Sequence, residues 1–349
     1  MKKFLTLIKR DLSENRGALI ITPMAIASVI FALVFISIAI GKFEFGNDNG
    51  MYFGATSDAN VNADIEMDGE HYKIYKENGV LYKDNGTTKE PFVGKVDSQD
   101  VKAISQVFVM ASAVSAIIPI SVSVIAIIFV LAGALYDERK ERNIMFWKSL
   151  PISDLQTAGA KIVSIVGGGL GFAALSAFVL HIAMMVLIAV SVNIMGIKIP
   201  NASLLDIGVV ANTTGQLWID IIIVLFGYAL WALPVYGWFL VSSAFAPKSP
   251  FFWAVLPIGL LPLLAKIFFE GSVDSALTPL QHLSGQPIIE AFGKAFKSVE
   301  NTQTIRDNNF SIDMSGVYQT FAEPQLWIGV IIGFAFIYAA SEIRRRKAL

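Results

Sequence analysis

No cysteine occurs among the 349 residues, which excludes disulfides, thiolate metal sites and cysteine nucleophiles. Charge is also scarce. Asp, Glu, Lys and Arg make up 16% of the chain against 54% hydrophobic residues, and the mean hydropathy is +0.60. Soluble domains carry about 25% charged residues, so this chain has too little polar surface for a soluble globule of its size. The formal net charge is −1 and the basic residues form no patch, which leaves no footprint for nucleic acid. Histidine is limited to His71, His181 and His282, with no His-Glu-x-x-His, so metal catalysis has poor support. The phosphate loop is missing too. Gly41-Lys42-Phe43, Gly94-Lys95-Val96 and Gly293-Lys294-Ala295 each lack the Ser or Thr that must follow the lysine. The chain is therefore not expected to hydrolyse ATP or to be an enzyme, and it offers no cofactor site of its own.

Long apolar runs are plentiful. Spans are expected at about 18–41, 104–135, 158–192, 217–245, 251–269 and 326–341, several reaching the roughly 20 residues that cross a hydrocarbon core. Lipid offers no hydrogen bonds to the backbone, so all six should be helices. The first run exceeds a signal-peptide core of ~7–15 residues and lacks a cleavage site, so it reads as a retained span. Pro257 and Pro262 make 251–269 the span most open to a break.

Basic residues set the orientation. Lys2, Lys3, Lys9, Arg10 and Arg16 precede the first span. Arg139, Lys140, Arg142, Lys148 and Lys161 lie between the second and third, Lys248 between the fourth and fifth, and Arg344, Arg345, Arg346 and Lys347 after the sixth. These alternate segments carry fifteen of the 27 basic residues, so both termini are expected in the cytoplasm. Within residues 1–17, Phe4, Leu5, Ile8 and Leu12 recur at helical spacing opposite basic residues, the pattern of an interfacial amphipathic helix.

Residues 42–103 form an outer insert. Asp68-Gly69, Asn78-Gly79 and Asn85-Gly86 punctuate short stretches of strand formers, predicting a small antiparallel meander with a tight turn at Asn78-Gly79. A short second outer loop is expected at about 193–216, and residues 270–325 form a third, with short helices expected over Ala276 to Leu283 and Ile288 to Phe296. The expected fold is thus an all-α integral membrane protein of six transmembrane helices, with a small extracytoplasmic β-containing insert between the first and second.

Few ionisable groups lie within the spans. His181 is the intramembrane candidate, although one neutral histidine in a long helix commonly just bonds to a neighbour. Asp220 and Lys266 fall near span ends, where snorkelling accounts for them. Gly167, Gly168 and Gly169, with Gly171, read as a hinge or a close helix contact, and Pro234 as a kink.

The connector at 136–157 is the most informative segment. It runs Tyr136-Asp137-Glu138-Arg139-Lys140-Glu141-Arg142-Asn143-Ile144-Met145-Phe146-Trp147-Lys148-Ser149-Leu150-Pro151: charged first, then aromatic, then a proline stop. With Lys161 at the mouth of the next span, it resembles the cytoplasmic loop between the second and third spans of type 2 ABC transporter permeases. In that family the loop carries a coupling helix that seats in a separate ATP-binding subunit. The resemblance implies a permease subunit of an ATP-driven exporter in a prokaryotic cell membrane. It further implies a second permease copy or a similar permease as partner, and ATP and Mg held only by the ATPase. Asp137, Glu138, Arg139 and Arg142 would offer charge-paired contacts to that ATPase, Phe146 and Trp147 the apolar anchors, and Pro151 the stop. The scarcity of charge within the spans favours a lipid-like, amphipathic or peptide substrate, with membrane lipids as neighbours. Two other readings stand beside this one. One is an assembly or sensor protein acting without an ATPase. The other is an intramembrane hydrolase using His181.

Overall fold

The computed structural model describes residues 2–39, 117–141, 152–194, 207–268, 285–297 and 313–347, together with Gly86 and the strand residues between 44 and 91. Five helices are long and apolar enough to cross a membrane: Gly17–Ala39, Ile117–Lys140, Asp154–Leu187, Thr214–Trp231 and Pro324–Lys347. Their outer faces carry large apolar side chains such as Leu33, Phe226, Ile331, Phe334 and Tyr338, each at least 60% exposed. Such surfaces are stable against lipid rather than water. The chain is a helical, multi-pass membrane protein.

The first helix, α1 (Lys2–Glu14), ends before a π-helical turn at Gly17–Ile21 that leads into α2 (Thr22–Ala39). On α1, Leu5 stays exposed while Leu7 and Asp11 are buried. The helix therefore has a protein-facing line beside its apolar outer one, and it docks on the start of the third span.

Between 44 and 91 the described residues are strands. The short pair β1 (Glu44–Phe45) and β2 (Phe53–Gly54) is antiparallel. An antiparallel sheet follows in chain order: β3 (Ala63–Met67), β4 (Glu70–Glu77), β5 (Val80–Asp84) and β6 (Lys89–Pro91). Glu77 pairs with Val80, so β4 and β5 meet directly on either side of Asn78-Gly79, which itself lies outside the described residues.

The second span is α3 (Ile117–Gly133), followed after a two-residue turn by α4 (Tyr136–Lys140). The third opens as α5 (Asp154–Ile162). Ser153 accepts the Gln156 amide while the Gln156 side chain accepts the Ser153 amide, a capping box that fixes where the helix starts. A π-helical turn at Val163–Gly168 continues it into α6 (Gly169–Ile194).

The expected fourth span, 217–245, is two helices. α7 (Ile207–Trp231) gives way at Ala232 to α8 (Leu233–Phe245). Pro234 supplies no N–H for the carbonyl four residues back, and its ring crowds that carbonyl, so the break falls just before it. α9 (Pro250–Phe268) runs unbroken through Pro257 and Pro262. Next come α10 (Gln286–Lys297) and α11 (Ser315–Ala322), then α12 (Pro324–Lys347). Ala276 to Leu283 lies outside the described residues. In α10, Ile288 is buried, whereas Ile289 is exposed rather than sharing its face.

Two cores organise the bundle. One joins α3, α5, α6, α8 and α12 around Ile127, Leu131, Ile165, Tyr236 and Leu240. The other seats α10 and α11 on α7 through Ile288, Val317, Leu217 and Trp231. Gly237 and Gly333 let α8 and α12 approach: a Cβ on Gly237 would lie 2.9 Å from the Gly333 carbonyl oxygen. The cluster at Gly167, Gly168 and Gly169 is split in purpose. A Cβ on Gly168 would strike Leu12 at 2.4 Å and one on Gly169 would strike Ile127 at 2.7 Å, whereas Gly167 and Gly171 face open space.

Gly169→Val should therefore overpack the core, at about 1–3 kcal/mol, and lower the thermal midpoint in detergent. Gly171→Ala should hold or raise it, since alanine is the better helix former by about 1 kcal/mol. A reversed order would contradict this division of the glycines.

Candidate functional site

Two members of the connector's charged half, Glu138 and Arg139, turn into the bundle. α4 turns Glu138 inward, where its side chain is 11% exposed, and three cations from three other segments reach it. Lys161 Nζ lies 3.0 Å from Glu138 Oε1, Arg344 donates to Oε2 at 3.2 Å, and Arg10 donates to Oε1 at 3.4 Å. Each cation also meets a second acid. Arg344 pairs with Asp154, Lys161 lies 3.7 Å from Asp11, and Arg10 donates through Nε to Asp11 Oδ1 at 3.0 Å. Ser164 completes the shell by donating to Asp11 Oδ2 at 3.4 Å.

The buried part of the cluster thus holds three acids and three bases, and Arg10 also pairs with the exposed Glu14 at 3.5 Å. Asp11 is fully buried, and Lys161 and Arg344 are almost so. Its members come from α1, α4, α5 and α12, so four segments distant in sequence converge on one carboxylate. Burying an ion costs several kcal/mol, and removing one partner of a buried pair costs about 3–5 kcal/mol because a bare charge remains. Within this network no segment can leave alone without that penalty.

Arg139 is turned inward as well. Its guanidinium donates to the Ser243 and Ala246 carbonyls at 2.8 and 2.9 Å, near the C-terminus of α8. The Ser243 hydroxyl in turn accepts the Leu135 and Tyr136 amides at 2.9 and 3.0 Å, satisfying the first amides of α4. Lys347 donates to the Phe245 carbonyl, a second cation at the negative end of α8. Glu138 and Arg139 are thus engaged inside the subunit, and Asp137, Lys140 and Glu141 are exposed in this part of the connector. Arg142, Phe146, Trp147 and Pro151 lie outside the described residues.

The remaining candidates sit elsewhere. His181 is fully buried and packs edge-on to Trp218, ring centroids 5.9 Å apart, and neither ring nitrogen has a hydrogen-bond partner among the described residues. No serine is joined to it there, so the hydrolase reading gains no nucleophile. Asp220 is 1% exposed with Oδ2 unpartnered, which overturns the expectation of snorkelling. The side chain of Lys266 lies outside the described ones. No group of three or more His, Asp or Glu able to hold a metal occurs among the described residues.

Asp11, Asp154, Arg344 and Ser243 were not singled out from the sequence. The available signal was acidic: Asp11, Glu138 and Asp154 each stand among the basic residues that set the orientation, where only basic residues are counted.

Glu138→Ala should destabilise the subunit by about 3–5 kcal/mol, read as a lowered thermal midpoint. The Glu138→Ala/Arg344→Ala pair should cost less than the sum of the single changes by about 0.5–3 kcal/mol. Strict additivity would mean that the two side chains do not share a network.

A scan against protein-family models finds no match, and neither do searches of curated proteins and of solved structures.

Proposed function

We propose that this chain is the membrane-spanning subunit of an ATP-driven exporter, moved by a separate cytoplasmic ATPase that binds at the connector. In this reading α9 is a sixth span, both termini and the connector face the cytoplasm, and the strand-forming insert lies outside. The subunit acts as a pair of copies, or with a similar permease, on a lipid-like, amphipathic or peptide substrate. ATP and Mg belong to the ATPase.

The observation that supports this reading is the charge cluster at Glu138. A subunit without a nucleotide site can be driven only through contact with one that has it, and the contacted segment must be tied to the spans. Here the connector is held to α1, α5 and α12 by ion pairs and to α8 by Arg139. Force applied at Asp137–Pro151 would reach these four helices before it dissipated in a loop. The aromatic half of the connector docks the ATPase, and the acidic half passes its movement inward.

The test separates docking from transmission. A neighbouring gene should encode a protein with a phosphate loop; the chain is co-expressed with that protein, purified, and placed in lipid vesicles for ATP turnover and transport. Phe146→Ala with Trp147→Ala should lose the ATPase on purification. Glu138→Gln should keep it bound but lower coupled turnover by roughly tenfold, which corresponds to about 1.4 kcal/mol. Transport by the purified chain alone, or full coupling in both variants, would refute the reading.

A further inference from the structure

Away from the charge cluster the bundle contains an opening of opposite character. Between α6 and α7 lies an open cavity of about 580 Å³ whose walls include Gly167, Gly171, Leu175, Phe178, Trp218 and Phe226. Its volume falls within the ~300–1,000 Å³ of small-molecule sites. Both walls belong to helices that are long and apolar enough to span the membrane, Asp154–Leu187 and Thr214–Trp231. In a bilayer the mouth would open toward lipid.

Three features define what fits. First, the floor is kept clear by glycine: Gly167 and Gly171 stand one turn apart, and a Cβ at either would meet nothing within 4 Å. Their neighbours Gly168 and Gly169 are filled by Leu12 and Ile127, so the open face is not a general looseness of this helix. Second, the wall has no hydroxyl, amide or charged side chain, and Trp218 alone among its residues carries a polar side-chain atom. Apart from that one indole N–H the lining offers a headgroup nothing, and it suits hydrocarbon. Third, Gly167 to Phe178 covers about 16 Å along the helix, close to half of the roughly 30 Å hydrocarbon core. One extended acyl tail, reaching from a headgroup layer to the bilayer midplane, has that length. Left empty, the glycine floor would lose contact atoms on one side, a state that packed interiors avoid.

We propose that the α6–α7 groove is a fixed binding site for one acyl tail of a membrane phospholipid. The site needs only the membrane setting and stands apart from the exporter reading, so each can fail alone.

The full chain is placed in phosphatidylcholine nanodiscs doped with a phosphatidylcholine that carries a diazirine on one tail, illuminated, and mapped by peptide. Label on 167–178 and 218–229 should exceed that on Ile331, Phe334 and Tyr338 by roughly tenfold. Those three α12 residues are exposed and are not among the groove's walls. Gly171→Leu, or Gly167→Leu if the first does not fold, should lower the groove label to the α12 level while keeping the thermal midpoint. Equal labelling of groove and α12, or groove labelling unchanged in a folded filled variant, overturns the site. Because the chain has no cysteine, Ile222→Cys gives a clean second readout. The monomeric form under oxidation agrees with a lipid in the groove; an efficient disulfide-linked dimer assigns the groove to a second copy and also overturns the site.

Discussion

The Glu138 carboxylate constrains everything near it. A carboxylate largely removed from water, with Lys161, Arg344 and Arg10 on its two oxygens, cannot lose one cation without leaving unbalanced charge behind. The same holds in reverse for Lys161 and Arg344, each almost fully buried and each also facing a second acid. Hydrophobic burial holds spans together in proportion to area, without strong preference for register. Charge pairing at fixed atoms is selective, and here it sets how α1, α4, α5 and α12 meet at one end of the bundle. An apolar cluster of the same volume would be at least as stable, so the ions contribute defined geometry more than strength.

That geometry gives the connector mechanical meaning. Ser243 holds the first amides of α4, Arg139 holds the end of α8, and Glu138 holds the rest, so α4 is fixed at three points. From this anchored end the third span runs unbroken from Asp154 to Ile194, about 60 Å at ~1.5 Å per residue. The bilayer with its headgroups is only ~40–45 Å thick. Under the proposed function, a displacement at Asp154 would be carried along this one helix, interrupted only by the π-helical turn at Val163–Gly168.

The sequence made the class legible because apolar length and basic alternation are local properties. The spans near 18–41, 158–192 and 326–341 each correspond to a long apolar helix. What stayed hidden depended on partners distant in the chain. Arg10 and Arg344 look like ordinary orientation signals until Glu138, more than a hundred residues from either, is brought to them. A run of charges between two spans normally faces water, so the bonds of Glu138 and Arg139 inside the subunit leave no local trace. Nothing local shows that α8 ends where Arg139 can cap it. Asp220 misled for the same reason: its depth follows from how α7 packs, which residue spacing does not encode.

The third span also shows how one helix can serve two media. Gly167 to Gly171 lies at the end of a π-helical turn, and an i→i+5 turn inserts one residue, rotating everything beyond it by about 100° relative to a regular helix. The cluster face of α5, with Lys161 turned toward Glu138, is therefore set independently of the face that α6 presents higher up. At this junction Gly168 and Gly169 receive Leu12 and Ile127, while Gly167 and Gly171 leave the groove open. Without the turn, the rotation that brings Lys161 inward would move the glycines off these positions, pressing the filled pair outward or the open pair into the core. The rare helical turn is what reconciles ion pairing at one end with lipid contact along the side.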